Sequence, residues 1–164
     1  MKTEKMSAIS EFQFEGKLQE CISFGNGHIN DTYRLTFETE HGMRRYILQR
    51  MNTQIFTKPE ELMENMEGVT SWLKRKIAEQ GGDPKREALN LVPTLDGKSY
   101  CRDAEGNYWR AFLYVENATS YDQVKNDHDF YESAVAFGRF QGLLADYPAE
   151  TLHETIEKFH DTVD

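Results

Sequence analysis

Glycine, asparagine and histidine crowd into one short run near the start of this chain, Phe24-Gly25-Asn26-Gly27-His28-Ile29-Asn30-Asp31-Thr32-Tyr33. Two uses suit that run. As a hairpin turn, Asn26-Gly27 fills two positions that need φ > 0 between alternating apolar segments. As a flap, the glycines let bare backbone N–H groups approach an anion, and the turn offers several donors to the phosphates of a nucleotide. Asn30 stands where a G-x-G-x-x-G pattern would place its third glycine, so the run alone is a weak phosphate motif.

A cation follows at the far end of Arg45-Tyr46-Ile47-Leu48-Gln49-Arg50-Met51-Asn52. The segment is long, apolar and rich in β-formers, which predicts a central strand. Arg50 therefore emerges from a largely buried element, where a charge needs a partner. That partner is either a carboxylate at the sheet edge or phosphate oxygens, which the guanidinium fork fits in two places.

The elements that must position these groups follow from periodicity. Residues 18–24, 29–38 and 44–51 read as three strands of an antiparallel meander, the second link being Thr39-Glu40-His41-Gly42. Next comes the clearest helix. Thr57 and Glu60 make a capping-box pattern, and Pro59 suits the first turn. Leu62, Met66, Val69, Leu73 and Ile77 form one apolar stripe that ends at Gln80-Gly81-Gly82.

Residues 88–93, 98–102 and 107–116 read as further strands, with turns at Asp96-Gly97 and Glu105-Gly106-Asn107. A polar connector, Asn117-Ala118-Thr119-Ser120, leaves the last and most aromatic strand. A second helix is expected over 127–145, with Phe130, Ala134, Phe137, Phe140, Gln141 and Leu144 near one face. A short helical piece is expected over 151–159. Residues 1–13 read as a short helix or frayed arm to which the sequence assigns no role. The class is α+β.

Composition narrows the function. A chain of 164 residues, 38% apolar, can build one domain with a real core or two small lobes. A net charge of −9 and the lack of a dense Lys/Arg run argue against a nucleic-acid surface. No apolar run approaches the ~20 residues that span a bilayer, and the first residues lack a signal-peptide core. A cytoplasmic protein is expected. Cys21 and Cys101 show no zinc or redox spacing and read as small core residues within strands.

Taken in order, these segments resemble the N-terminal lobe of the aminoglycoside phosphotransferase and choline kinase superfamily. The branch most similar is the bacterial N-acetylhexosamine kinases, which phosphorylate an anomeric hydroxyl. The resemblance covers nearly the whole chain. It rests on the glycine run, on Tyr46-Ile47-Leu48-Gln49-Arg50-Met51-Asn52 and on Glu61-Leu62-Met63-Glu64-Asn65. Gly81-Gly82-Asp83-Pro84, Leu89-Asn90-Leu91-Val92-Pro93-Thr94 and Leu152-His153-Glu154-Thr155-Ile156 extend it.

The resemblance implies a protein-kinase-like lobe: an antiparallel sheet of five or six strands with one packed helix. It divides the chain into a nucleotide lobe (1–116), a hinge (117–126) and the first helices of an incomplete substrate lobe (127–164). Gly25, Asn26, Gly27, His28, Ile29 and Asn30 would form the flap over ATP, with Thr32 just behind it. Arg50 would stand where most kinases place a lysine. The Val115 carbonyl and the Asn117 N–H would bond the adenine edge, with Tyr114 and Glu116 flanking the slot. ATP, Mg²⁺ and an amino-sugar acceptor are the implied ligands.

Two departures qualify it. Kinases pair the strand-three cation with a glutamate on the helix, and the matching position here is Met66. Glu64 is the first alternative, although it and Glu67 point away from that face by the helical period. The catalytic Asp, its following Asn and the metal-binding Asp lie beyond the matched region, and His160-Asp161-Thr162-Val163-Asp164 lacks their spacing. The chain is therefore expected to bind nucleotide without turnover. The competing expectation is a non-catalytic module that self-associates through the apolar face of the second helix.

Overall fold

In the computed structural model, residues 2–25, 27–119, 121, 123–124 and 126–159 are described, the side chains of 2–4 excepted. Asn26, Ser120 and the run 160–164, all singled out from sequence, lie outside the described residues.

The chain runs α1 (Lys2–Ser10), β1 (Lys17–Ser23), β2 (Asp31–Thr39), β3 (Gly42–Arg50), α2 (Pro59–Glu79), α3 (Pro84–Glu87), β4 (Tyr100–Arg102), β5 (Tyr108–Leu113) and α4 (Asp127–Leu143). The five strands form one antiparallel sheet in the order β1-β2-β3-β5-β4. β3 is central, as its apolar run implies, and α2 lies in the crossover between β3 and β4.

Residues 88–93 do not form the expected strand. They touch the β5 edge at single points, with Leu91 bridging Phe112 and the Val92 N–H donating to the Ala111 carbonyl at 2.9 Å. β4 already occupies that edge opposite Tyr108 to Arg110, and Pro93 has no N–H to extend the ladder.

Alternation gives the sheet two different faces. On the outer face, Tyr33, Leu35 and Phe37 of β2, Tyr46 and Leu48 of β3, and Trp109 and Ala111 of β5 are buried in one cluster. The N-terminal arm covers them. Ala8, Ile9 and Phe12 are 1%, 7% and 4% exposed, so the arm without an assigned role is the lid of the core. Its two buried helical residues are too few to make a stripe, which is why periodicity missed it. Cys21 and Cys101 pack against this cluster, and burial pushes the Cys101 thiol up to about 12.

The inner face carries α2. Its first residue is Pro59 and its N-cap is Lys58, which makes no side-chain cap bond. Proline at the first position starts the helix one residue later than the capping-box pattern requires, so Thr57 falls outside it. Met63, 1% exposed, lies outside the expected stripe and is as deep as Ile77, while Leu73 and Ile77 of the stripe are buried as expected.

Leu73 and Ile77 meet Leu143 at the end of α4 in a second small cluster. The Trp72 Nε1–H donates to the Leu143 carbonyl at 3.0 Å. The rest of α4 is open: Phe130, Tyr131 and Phe137 are about two-thirds exposed. Residues 151–159 are not helical. A 3₁₀ turn (Ala149–Thr151) is followed by irregular chain at 152–154, where Asn65 takes both backbone groups of His153, at 2.9 and 2.8 Å, and then by bends and turns at 155–159.

Candidate functional site

The glycine run is not a tight two-residue turn. Ladder pairing stops at Ser23–Tyr33, and the Phe24 N–H donates to the Thr32 carbonyl at 2.9 Å. Gly25 and residues 27–30 lie outside the ladder. Gly25 is left-handed (φ +82°), whereas Gly27 is not, so the turn with φ > 0 at both central residues is not made. His28 and Ile29 are exposed at the loop tip, and Asn30 Oδ1 anchors its far end by accepting from the Asn52 N–H at 3.0 Å.

Arg50 belongs to the outer face. It sits opposite Asp31 in the ladder, its Nε donates to Asp31 Oδ2 at 2.8 Å, and a second donor reaches the same oxygen. Together with His28, Ile29 and Asn52 the pair lines a polar recess of about 390 Å³ at the loop base. Glu64 is paired elsewhere, accepting from His153 at 2.6 Å. The structure brings Glu64 to neither Arg50 nor the loop.

A larger, mostly apolar cleft of about 600 Å³ opens on the inner face. Phe24 roofs it from the loop, Ile47 and Phe112 supply its ceiling from β3 and β5, and Tyr114, Val115 and Ala118 form its outer wall. Phe24 and Tyr114 meet edge-on with ring centres 5.8 Å apart. Arg45 lies over the Tyr114 ring at 4.9 Å and holds Glu116, its Nε donating to Oε1 at 2.9 Å. Hydrogen bonding to Glu116 raises the Arg45 pKa further.

The connecting backbone is braced from outside. Arg86 donates to the Glu116 carbonyl and, at 3.4 Å, to that of Asn117. Asn117 itself is left-handed (φ +54°), a conformation its short polar side chain tolerates. The Val115 carbonyl and the Asn117 N–H bond to no described residue.

Sequence reasoning missed the most unusual group in the cleft. Arg110 is the cross-strand neighbour of Gln49 and is only 9% exposed. Its Nε donates to Gln49 Oε1 at 3.1 Å, and Gln49 Nε2 donates in turn to Thr32 Oγ1 at 3.0 Å. Nη1 faces the sulfurs of Met66, at 2.8 Å, and Met63, at 4.0 Å. Desolvation pulls the Arg110 pKa down to about 10, so it remains a cation at neutral pH. The signal was present, since Arg110 interrupts the most apolar strand, but in Tyr-Trp-Arg-Ala-Phe it reads as one polar position in a core segment.

Among the described residues no group of three His, Cys, Asp or Glu side chains could hold a metal ion. No helix among them is long and apolar enough to cross a membrane. A scan against protein-family models finds no match for this chain.

Proposed function

We propose that this chain is the ATP-binding portion of a small-molecule kinase whose acceptor is an amino-sugar hydroxyl. The observation that carries the reading is the inner cleft: an apolar, aromatic-edged slot with an unpaired peptide edge at one end and a buried cation at the other. A purine needs the first two features and its phosphates need the third. The order of parts supports it too, because Phe24 at the start of the glycine run, a central strand and a crossover helix all border that one cleft.

In this reading the adenine ring lies between Tyr114 and the ceiling at Ile47 and Phe112. Its edge bonds the Val115 carbonyl and the Asn117 N–H. The triphosphate runs from there past Phe24 toward Arg110, where charge acts by positioning and electrostatics. The test is a calorimetric titration of the chain with Mg-ATP and with adenosine. Both are expected to bind, with no sugar-dependent ATP consumption; silence from both ligands would refute the nucleotide cleft.

A second reading, a self-associating module, is favoured by the aromatic face of α4. Phe130, Tyr131 and Phe137 are each more than 60% exposed on one helix, more apolar surface than an isolated helix leaves in water without purpose. Light scattering across concentration checks it. A dimer that Phe130→Glu with Phe137→Glu dissociates supports association, and a monomer throughout removes it.

A further inference from the structure

We infer that Arg110 of β5, not Arg50 of β3, is the cation that binds the phosphate chain, and that Gln49 holds it in place; this deepens the nucleotide reading and rests on it.

The argument begins with strand parity. Gln49 and Arg50 are neighbours, so their side chains leave opposite faces of β3. Gln49 lines the inner cleft with Arg110, whereas Arg50 lines the polar recess with Asp31. A ligand seated between Tyr114 and Phe112 therefore meets Arg110. Arg50 is also already engaged by a carboxylate in directly opposed ladder positions.

Arg110 has no such counter-ion. No carboxylate lies in ion-pair contact with it among the described residues. Where a glutamate would face it from α2, Met66 does, with Met63 beside it. A guanidinium nine-tenths buried against two thioethers is costly to charge. Nη2 donates to no described residue. It is also absent from the fully enclosed orphan atoms, which among the described residues are Arg34 Nε and Ser99 Oγ. Nη2 is therefore not fully enclosed, and Arg110 lines the cleft.

The Thr32–Gln49–Arg110 chain fixes the fork. Thr32 accepts from the Gln49 amide, and that orientation leaves Oε1 to accept from Arg110 Nε. With Nε occupied and Nη1 against sulfur, the remaining donor is directed at an incoming oxyanion. The ligand class is an anion carried on an apolar ring system, a nucleoside polyphosphate. The missing carboxylate means that the ligand supplies the neutralising charge, so binding gains the full value of a charge-assisted bond with no resident anion to displace.

The experiment titrates ATP and adenosine into the wild-type chain, Arg110→Met, Arg50→Met and Gln49→Glu, with thermal melts of each. Arg110→Met is expected to lose between about tenfold and a hundredfold in ATP affinity while adenosine binds as before. Arg50→Met is expected to keep both within about twofold, a margin inside ordinary surface effects. Gln49→Glu gives Arg110 a carboxylate, and is expected to raise the melting temperature while weakening ATP and sparing adenosine; a merely structural Gln49 would not separate those readouts.

If ATP binds Arg110→Met as tightly as wild type, or Arg50→Met carries the loss instead, the inference is overturned and the nucleotide cleft stands. If wild type binds neither ligand, the cleft reading and the inference fall together. Should Arg110→Met not fold, Gln49→Glu decides the matter alone.

Discussion

Arg110 shows how a single residue can cost the fold and still serve it. Its pKa falls from the ordinary guanidinium range to about 10 because burial penalises the cation. A base whose folded pKa is depressed destabilises the native state below that folded value, and the penalty fades as pH rises through about 10 towards the ordinary guanidinium value. At pH 7 the penalty is fully present. Arg110→Met is therefore expected to stabilise the empty protein, by at most about 3 kcal/mol from the size of the shift, read by urea denaturation at pH 7. A loss of stability would mean that the sulfur and Gln49 contacts outweigh desolvation.

Asp96 has the opposite sign. Hydrogen bonds from Lys98 and then Thr94 lower its pKa from 3.8 to about 2. Its contribution to stability is present above pH 3.8 and disappears as pH falls through about 2. Asp96→Asn is expected to flatten the stability profile in that window only, as followed by acid melts of both proteins. An unchanged profile would show the turn to be electrostatically silent.

Among the elements, the N-terminal arm carries more of the fold than its composition suggests. Phe12 is 4% exposed, its ring lies 5.7 Å from that of Phe14, and its backbone bridges Thr94. Phe12→Ala is expected to cost about 3–5 kcal/mol, the range for emptying an aromatic core site. A cost below about 1 kcal/mol, the ordinary size of a point-mutation effect, would show the arm to be loosely docked. Where the arm turns into β1, Gly16 sits at φ +91° and an added Cβ would lie 2.1 Å from the Glu38 carbonyl oxygen. Gly16→Ala must displace β2 or unravel the start of β1, and is expected to lower the melting temperature by several degrees.

Much of the element pattern was legible. β1, β2, β3, β5, α2 and α4 fall within a few residues of their sequence assignments, because each couples clear alternation or a helical stripe to glycine, proline or aspartate punctuation. The misses share a cause: residues 88–93 and 151–159 are fixed by partners far away in the chain, the β5 edge and Asn65. Local periodicity carries no trace of such partners.

For the whole molecule, packing is uneven. The outer-face cluster joins the arm, β2, β3 and β5, whereas α4 touches the remainder mainly through Leu143 and its neighbours. Hydrogen exchange is expected to be slowest in β2 and β3 and fastest in the first turns of α4. Protection of α4 equal to that of the sheet would point to a covering partner and favour the self-associating reading.

By itself the sequence determined the class, the antiparallel sheet with its central third strand, and the crossover helix. Those follow from local spacing, which side-chain burial enforces turn by turn and strand by strand. It could not decide which cation faces the cleft. That depends on pleat parity at Gln49 and Arg50 and on the pairing of β3 with β5, whose residues lie some sixty positions apart. Only the closed sheet sets Arg50 against Asp31 on one face and brings Arg110, Gln49 and Met66 together on the other.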